Sequence, residues 1–300
     1  MLHGSILCRM DAAALLPTGM VAEDLDHWLR EDGLETGDVT SEALLGDDSA
    51  DSWHLVARSP MVVCGLEPLA RGLVALQCDV TLMPKAQEGD ALEAGGVLGV
   101  LAGDRHSALA LERTILNILG RACGVATLTR AYVNAVSHQH AVMTDTRKTM
   151  PGLRCWDKYA VMCGGGTSHR MGLHDAMLIK DNHLAAHRDD DLGPWLEQSV
   201  RQARADHALS FVEVEVDTMA QLDIVLGVSG VDIILLDNMP PDMMRQAVAK
   251  RDAIAPNVLL EASGGITLES VRAVAESGVD RIAVGALTRD AVMLDIGLDA

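Results

Sequence analysis

The residues best suited to chemistry in this 300-residue chain concentrate between Arg147 and His183. The chain carries a formal net charge of −19, yet this stretch holds six Lys or Arg against three Asp, a local charge of +3. Basic residues interleaved with glycines and hydrophobic residues favour a pocket that focuses positive charge on a small, multiply negative ligand. The alternative is a solvated basic surface, which is the usual role of a charge run. The basic residues are Arg147, Lys148, Arg154, Lys158, Arg170 and Lys180.

Glycines near the C-terminus suggest a phosphate site. Ser263, Gly264 and Gly265 precede a helix expected to begin near Leu268, and Gly285 ends the last apolar run. Glycines let backbone N–H groups approach a phosphate, and a helix N-terminus favours negative charge. A Ser-Gly-Gly sequence alone is a weak signal, but loops after the last two strands of a barrel commonly bind phosphate.

Two carboxylates, Glu215 and Asp237, end neighbouring predicted strands. They suit a magnesium ion or ribose hydroxyls, because hard cations prefer oxygen ligands. They would also suit general acid and base roles at a glycosidic bond, or a structural pairing with Lys180. Glu213 should face the same side as Glu215, and Glu215 is favoured because it lies nearer the strand end.

Two further patterns are weaker candidates. His183 and His187 have the i, i+4 spacing of a metal pair but lack the glutamate of the HExxH motif. Cys163 precedes His169 by six residues, and the intervening glycines give no geometry for a thiol nucleophile.

Composition excludes several classes of protein. Hydrophobic residues make up 49% and aromatic residues 2%, so the core must be aliphatic. The sequence shows neither a basic stripe nor a set of aromatic residues for stacking bases, which argues against nucleic-acid binding. The chain has no apolar run of membrane-spanning length and no secretory signal pattern. Its six cysteines form no CxxC pair, which predicts reduced thiols in a cytoplasmic protein.

The first 120 or so residues predict a mixed α+β domain. Helical periods cover 21–30 and 66–76, strand patterns cover 53–59 and 79–84, and a glycine-punctuated segment follows. A long helical period over 107–136 predicts one helix or two, broken near Gly124.

From Ala141 onward, short apolar runs alternate with helical periods, which predicts parallel β/α architecture. Nearly every run ends in a polar residue, as at the mouth of a (β/α) barrel. Pro194, Pro241, Thr218 and Thr267 fit helix starts. The predicted strands are 141–144, 176–179, 211–216, 232–236, 258–260 and 281–284. The predicted helices are 156–163, 194–205, 219–226, 241–250 and 268–277.

The chain closely resembles the quinolinate phosphoribosyltransferase family, the decarboxylating nicotinate-nucleotide pyrophosphorylases. The matching segments span nearly the whole chain in the family's order, and the central one is highly specific. They are EDGLETGDVT (31–40), LERTILNILGRACGVAT (111–127), TRKTMPGLR (146–154), KYAVMCGGGTSHRMGLHDAMLIKDNH (158–183), VEVEVDT (212–218), LLDNM (235–239), EASGGI (261–266) and AVGALT (283–288).

The resemblance implies an α/β fold: an N-terminal α/β sandwich domain (1–125), to which 289–300 returns as a strand, and an incomplete (β/α) barrel (126–288). It implies that quinolinate and phosphoribosyl pyrophosphate give nicotinate mononucleotide, pyrophosphate and CO2 in NAD biosynthesis, with Mg²⁺. It further implies a cytoplasmic homodimer, in which the N-terminal domain of one subunit faces the barrel of its partner and donates Arg113.

The resemblance also implies residue roles. Arg113, Arg147, His169 and Arg170 would bind quinolinate, and arginines suit its two carboxylates. Lys148, Lys180, Glu215 and Asp237 would be catalytic, the two carboxylates also serving Mg²⁺ directly or through water. Ser263, Gly264, Gly265 and Gly285 would bind the 5′-phosphate.

This chain departs from the family at two places. Ser168 replaces the usual asparagine before His169, and Ile118 replaces a common aromatic. Two other functions remain open: a paralogue resembling the molybdenum-transport-associated pyrophosphorylase homologue, acting on another base or acid, and a phosphate- or nucleotide-binding protein without turnover.

Overall fold

The computed structural model describes residues 12–46, 50–185, 187 and 189–300, so the first residues of the predicted N-terminal domain and Cys8 lie outside it. The chain divides into two compact units. The N-terminal unit contains the described residues up to Arg130 together with Met150–Gly165 and Asp290–Ala300. The barrel unit contains Ala131–Thr149 and Gly166–Arg289.

The segment Met150–Gly165 is the main difference from the expected domain limits, which placed it in a continuous barrel at 126–288. Its helix carries Trp156, whose ring centroid lies 5.8 Å from that of Trp28. The indole nitrogen of Trp156 donates to Asp24 at 2.8 Å, and Asp157 pairs with Arg121 at 3.0 Å. These contacts join the segment to the N-terminal unit.

The N-terminal unit is built on antiparallel strands. They are β1 (Ala50–Ala57), β2 (Met61–Val62), β3 (Val80–Pro84), β4 (Ala91–Leu92), β5 (Val97–Asp104) and β12 (Ile296–Asp299). Four of them form a sheet in the order β12–β1–β5–β3, and β2 and β4 form a separate pair. The C-terminal strand β12 pairs with β1 as an edge strand, with Leu298 opposite Leu55.

The helices of this unit bury aliphatic residues, as the composition predicted. Val21, Leu25 and Leu29 recur at helical spacing and form the buried face of one helix. The described helices are Ala12–Leu15, Thr18–Glu31, the 3₁₀ turn Leu34–Thr36, Val39–Leu44, Leu66–Ala75, Arg154–Cys163 and the long helix Arg105–Ala135, of which residues 105–130 belong to this unit.

The barrel unit contains the six predicted strands, displaced by at most three residues at either end. They are β6 (Val142–Thr144), β7 (Met177–Ile179), β8 (Val212–Val216), β9 (Ile233–Asp237), β10 (Leu259–Ser263) and β11 (Arg281–Ala283). They form a parallel sheet in the order β6–β11–β10–β9–β8–β7. In the described residues β6 and β7 are its edge strands, so the barrel is incomplete, and the predicted fold class is confirmed.

The expected helix starts are partly correct. Thr218 caps its helix, its hydroxyl accepting the Gln221 N–H at 3.2 Å, and Pro241 is a first helical residue. Pro194 lies inside a helix that begins earlier, at Asp189, and Thr267 begins a turn that precedes the helix. The helices are Asp181–Leu184, Asp189–Asp206, Met219–Val225, Pro241–Ile254, Val271–Ala275 and Ala286–Arg289.

The described cysteines, from Cys64 to Cys163, are all free thiols. Burial raises the pKa of Cys123 to about 12. No helix in the described part of the chain has both the length and the apolar character that crossing a bilayer requires.

The long helix is continuous, so the prediction of a single helix is correct and the alternative of two helices broken near Gly124 is wrong. A β-carbon on Gly124 would overlap the carbonyl oxygen of Val292, and one on Gly120 would lie 2.5 Å from the carbonyl oxygen of Leu294. These glycines therefore let the C-terminal chain, which leads into β12, lie directly against the helix.

We expect Gly124→Ala to lower the free energy of unfolding by about 2 kcal/mol, because overpacking against backbone outweighs the gain in helix propensity. Thermal unfolding followed by circular dichroism should show a midpoint roughly 5 °C lower. Gly19→Ala is the control, because a β-carbon there meets nothing within 4 Å. Equal midpoints for the two variants would contradict this account of Gly124.

Candidate active site

A cavity of about 370 Å³ opens at the carboxyl ends of the barrel strands. Parallel strands place these ends at one edge of the sheet, so side chains far apart in sequence meet there. Predicted site residues that line the cavity are Arg147, Lys148, His169, Arg170, Lys180, Glu215, Asp237 and Ser263. Thr146, Leu178, Leu235, Glu261 and Ala283 complete the lining.

Two guanidinium groups give one part of the cavity its positive charge. Burial and the neighbouring charge of Arg147 lower the pKa of Arg170, so the two cations repel each other. The Nε atom of Arg147 is buried and has no hydrogen-bond partner among the described residues. An anionic ligand would relieve both the repulsion and the missing hydrogen bond.

The side chain of Lys148 packs against Gly285. A β-carbon at Gly285 would come 2.8 Å from Cδ of Lys148, so a larger residue would displace the lysine side chain. The hydroxyl of Thr288 donates to the carbonyl of Lys148 at 2.9 Å, which fixes its backbone. Gly285 therefore determines where the Lys148 ammonium lies.

A second part of the cavity is acidic. Burial raises the pKa of Glu215, and the charges of Asp237 and Asp181 raise it further, while Lys180 opposes them. Asp237 accepts a hydrogen bond from the Asn238 side-chain amide at 2.7 Å. Repulsion between hard oxygen donors is relieved by a cation or by hydroxyl donors.

The Ser263–Gly265 turn follows β10, and its backbone has the left-handed conformation that glycine favours, with φ of 95° at Gly264 and 60° at Gly265. The Asn238 N–H donates to the Ser263 carbonyl at 2.9 Å. A β-carbon on Gly264 would overlap the Asn238 side chain. The ends of β9 and β10 therefore lie too close together for any side chain at this position.

Beneath the cavity, His169 contacts two fully buried carboxylates. Its Nε2 atom lies 3.0 Å from Glu213 and 3.2 Å from Glu261. Burial alone lowers the pKa of His169, but the charges of Glu261 and Glu213 outweigh burial and raise it to about 10. The Arg170 N–H donates to Nδ1 at 2.8 Å, which favours the neutral ring and opposes that rise. Glu261 pairs in turn with Arg281 at 2.6 Å.

The sequence reasoning therefore missed a charged layer formed by Glu213, Glu261 and Arg281. The sequence did contain a signal for this layer, because these charged residues lie beside apolar residues within β8, β10 and β11. Such residues face the barrel interior when their neighbours face the surrounding helices.

Arg113 lies in the N-terminal unit and does not line the cavity of the barrel unit. Its side chain is 65% exposed on the long helix and borders a small hollow that also includes Ile118. At the substituted position, the hydroxyl of Ser168 donates a hydrogen bond to the backbone carbonyl of His169 at 3.1 Å.

The two weaker candidates from the sequence, the histidine pair and Cys163, make other contacts in the structure. His183 accepts the Lys180 N–H at 2.9 Å through Nδ1, and His187 stacks on Trp195 with ring centroids 3.8 Å apart. Cys163 faces the Glu88 carboxylate at 3.7 Å. In these contacts His183 and His187 have different partners, and Cys163 faces a carboxylate instead of His169.

Known proteins match the chain over nearly its full length. The family model for the quinolinate phosphoribosyl transferase C-terminal domain matches residues 125–299, and that for the N-terminal domain matches residues 38–123. The chain belongs to the quinolinate phosphoribosyltransferase family.

Individual quinolinate phosphoribosyltransferases agree with this assignment. The nicotinate-nucleotide pyrophosphorylase (carboxylating) of Mycobacterium leprae is 40% identical over 97% of this chain and 98% of its own. The probable enzyme of that name from Bacillus subtilis is 39% identical over 92% of this chain and 91% of its own. The solved nicotinate-nucleotide pyrophosphorylase from Francisella tularensis is 33% identical, with a TM-score of 0.83 over 94% of this chain and 96% of its own.

We expect Gly264→Ala to weaken the binding of inorganic phosphate and pyrophosphate about tenfold or more, since strain and the clash with Asn238 move the turn. Isothermal titration calorimetry measures the two dissociation constants. Gly95→Ala is the matched control, because Gly95 also has a positive φ, its β-carbon would meet nothing within 4 Å, and it belongs to the N-terminal unit instead of the phosphate turn. Unchanged phosphate affinity in Gly264→Ala would remove this turn from the site.

Proposed function

We propose that the cavity at the barrel mouth is where this chain joins quinolinate to phosphoribosyl pyrophosphate. The chain is a quinolinate phosphoribosyltransferase, and its reaction gives nicotinate mononucleotide, pyrophosphate and CO2 in NAD biosynthesis. The observation that supports this location best is the pair of guanidiniums that line the cavity, one of which has a buried Nε atom without a hydrogen-bond partner among the described residues.

Quinolinate fits the positive part of the cavity. Its adjacent carboxylates are planar acceptors, and guanidinium groups bind such acceptors through paired hydrogen bonds. In the proposal Arg147 and Arg170 receive the carboxylates, and His169 forms the floor beside them. A ligand with two negative charges also compensates the repulsion between the two cations.

Phosphoribosyl pyrophosphate fits the rest of the cavity. Its 5′-phosphate would bind at Ser263, Gly264, Gly265 and Gly285, because glycine backbone N–H groups can approach it closely. Glu215 and Asp237 would accept the ribose hydroxyls. Lys148 and Lys180 would face the pyrophosphate.

The chemistry needs no protein nucleophile. The lone pair of the quinolinate ring nitrogen forms a bond to C1′ of the ribose while the C1′–O bond to pyrophosphate breaks. Glu215 and Asp237 stabilise the positive charge that develops on the ribose, and the lysines stabilise the leaving group. The pyridinium then accepts the electron pair of the carbon–carboxylate bond as CO2 leaves, and a proton replaces CO2 on the ring.

The acidic part of the cavity fits Mg²⁺. The raised pKa of Glu215 reflects burial and the repulsion from Asp237, which a divalent cation would remove. Glu215 and Asp237 would hold the ion directly or through water. Bound Mg²⁺ supplies charge neutralisation for the pyrophosphate.

The test is an assay of the purified protein with quinolinate, phosphoribosyl pyrophosphate and Mg²⁺, following nicotinate mononucleotide. We expect Arg147→Ala to lower kcat/KM for quinolinate by about two orders of magnitude, since it removes a charged hydrogen bond to the substrate. Arg272→Ala is the control, because that side chain is 74% exposed and pairs only with Glu276 in the described structure.

Activity of the wild type with an undiminished Arg147→Ala variant would place the dicarboxylate elsewhere. Absence of product, with phosphoribosyl pyrophosphate still bound, would favour the paralogue function and a screen of other acids. Free nicotinate appearing before any phosphoribosyl transfer would reverse the proposed order of steps.

We further propose that the enzyme is a cytoplasmic homodimer in which Arg113 completes the cavity of the partner. Arg113 is exposed and shares a hollow with the apolar Val39, which is itself 76% exposed. On the barrel unit, Leu173 follows the Arg170 loop and is 78% exposed. Exposed apolar residues beside charged ones mark interaction surfaces. The free cysteines suit a reducing compartment.

Mixing two impaired variants tests this arrangement. Arg113→Ala and Arg147→Ala should each keep on the order of 1% of wild-type activity alone, because every site of either dimer lacks one arginine. After subunit exchange, each heterodimer has one intact site, so about a quarter of wild-type activity should return in a 1:1 mixture. A mixture whose activity does not rise, although exchange is verified by mass spectrometry, would show that Arg113 acts within its own subunit.

A further inference from the structure

The interior of the barrel contains a charged layer where such barrels usually carry apolar side chains. Glu213 and Glu261 are fully buried, and Arg281 is 2% exposed. Glu261 and Arg281 are direct register partners on adjacent parallel strands. Buried charges are costly unless they are paired and hydrogen-bonded, so this layer requires a reason beyond packing.

His169 lies at one end of this charged layer, and residues of the layer and its surroundings contact it on several sides. The Nε2 atom lies within 3.2 Å of both carboxylates, and the Phe211 ring meets the imidazole edge-on with centroids 5.3 Å apart. On the other side, Nδ1 accepts the Arg170 N–H at 2.8 Å. The backbone N–H of His169 donates to Asp145 at 2.9 Å. The imidazole thus connects the layer to the backbone of Arg170.

The two glutamates of the layer are not equivalent. Although burial alone raises the pKa of Glu261, His169 and Arg281 outweigh burial and lower it to about 2, so this carboxylate is charged. Nε of Arg281 donates to Oε2 of Glu261 at 2.6 Å. Neither carboxylate oxygen of Glu213 has a hydrogen-bond partner among the described residues, although one of them lies 3.0 Å from Nε2 of His169. Glu261 is therefore anchored by a second residue, and Glu213 has no such anchor in the described part of the chain.

We propose that Glu261, anchored by Arg281, is a positioning residue of the quinolinate pocket. It fixes the His169 ring, and that ring fixes the backbone of Arg170, so that the Arg170 guanidinium meets the substrate carboxylate. Glu261 itself need not touch quinolinate. The inference rests on the proposed function. It adds a residue below the site that contributes to the selectivity for quinolinate.

The test compares two isosteric variants of equally buried residues, Glu261→Gln and Glu213→Gln, in the full-length enzyme. Glu261→Gln removes a charge and leaves Arg281 unpaired, so KM for quinolinate should rise about tenfold or more, with KM for phosphoribosyl pyrophosphate changed less than about twofold. Glu213→Gln leaves the Glu261–Arg281 pair intact, so its KM for quinolinate should rise less than about threefold.

A second variant keeps the test valid if Glu261→Gln does not fold. Glu261→Met combined with Arg281→Met replaces the buried ion pair by apolar side chains, a change that proteins often tolerate. This double variant should fold, as circular dichroism will report, and should show the same selective rise in KM for quinolinate, because His169 has lost its anchor.

Two results would overturn the proposal: a folded double variant with wild-type KM for quinolinate, or equal effects of Glu261→Gln and Glu213→Gln. A loss confined to thermal stability and kcat, with both KM values unchanged, would assign the layer to folding alone. Failure of the wild type to convert quinolinate would instead overturn the proposed function, so the two failures are distinguishable.

Discussion

The parallel direction of β6 to β11 is the constraint on which the site depends. Parallel strands bring all their carboxyl ends to one edge, so residues separated by more than a hundred positions share one cavity. Thr146 and Ala283 both line it, for example, because β6 and β11 are register partners. The short loops after each strand then determine which chemical groups face the ligand.

Charge balance explains how so many ionisable groups coexist there. In the floor, His169 and Arg281 lie against the two buried carboxylates of Glu213 and Glu261. Above it, like charges face each other, guanidiniums in one part and carboxylates in another. Each repulsion remains until a ligand of opposite charge or a hydrogen-bond donor arrives. Binding of such a ligand therefore lowers the electrostatic energy of the cavity.

The structure also requires that certain neighbouring segments approach the backbone closely, and glycines make this possible. At Gly264 and Gly285 the absent side chain makes room for Asn238 and Lys148 respectively. At Gly124 the same property lets the C-terminal chain reach the long helix. In each case glycine is required by a neighbour distant in sequence, which is why local propensity alone left open the alternative of a helix break near Gly124.

By itself, the sequence determined the class of fold, the strands of the barrel and the residues at their ends. These features rest on local periodicity and on strand polarity, both of which a sequence contains. The tertiary structure alone decided which charges pair. Glu213 and Glu215 have the same type and face, but only the depth of each in the barrel makes one a buried partner of His169 and the other a cavity wall. It also decided that residues 150–165 join the N-terminal unit, because the contacts of Trp156 with residues far upstream outweigh their position in the chain.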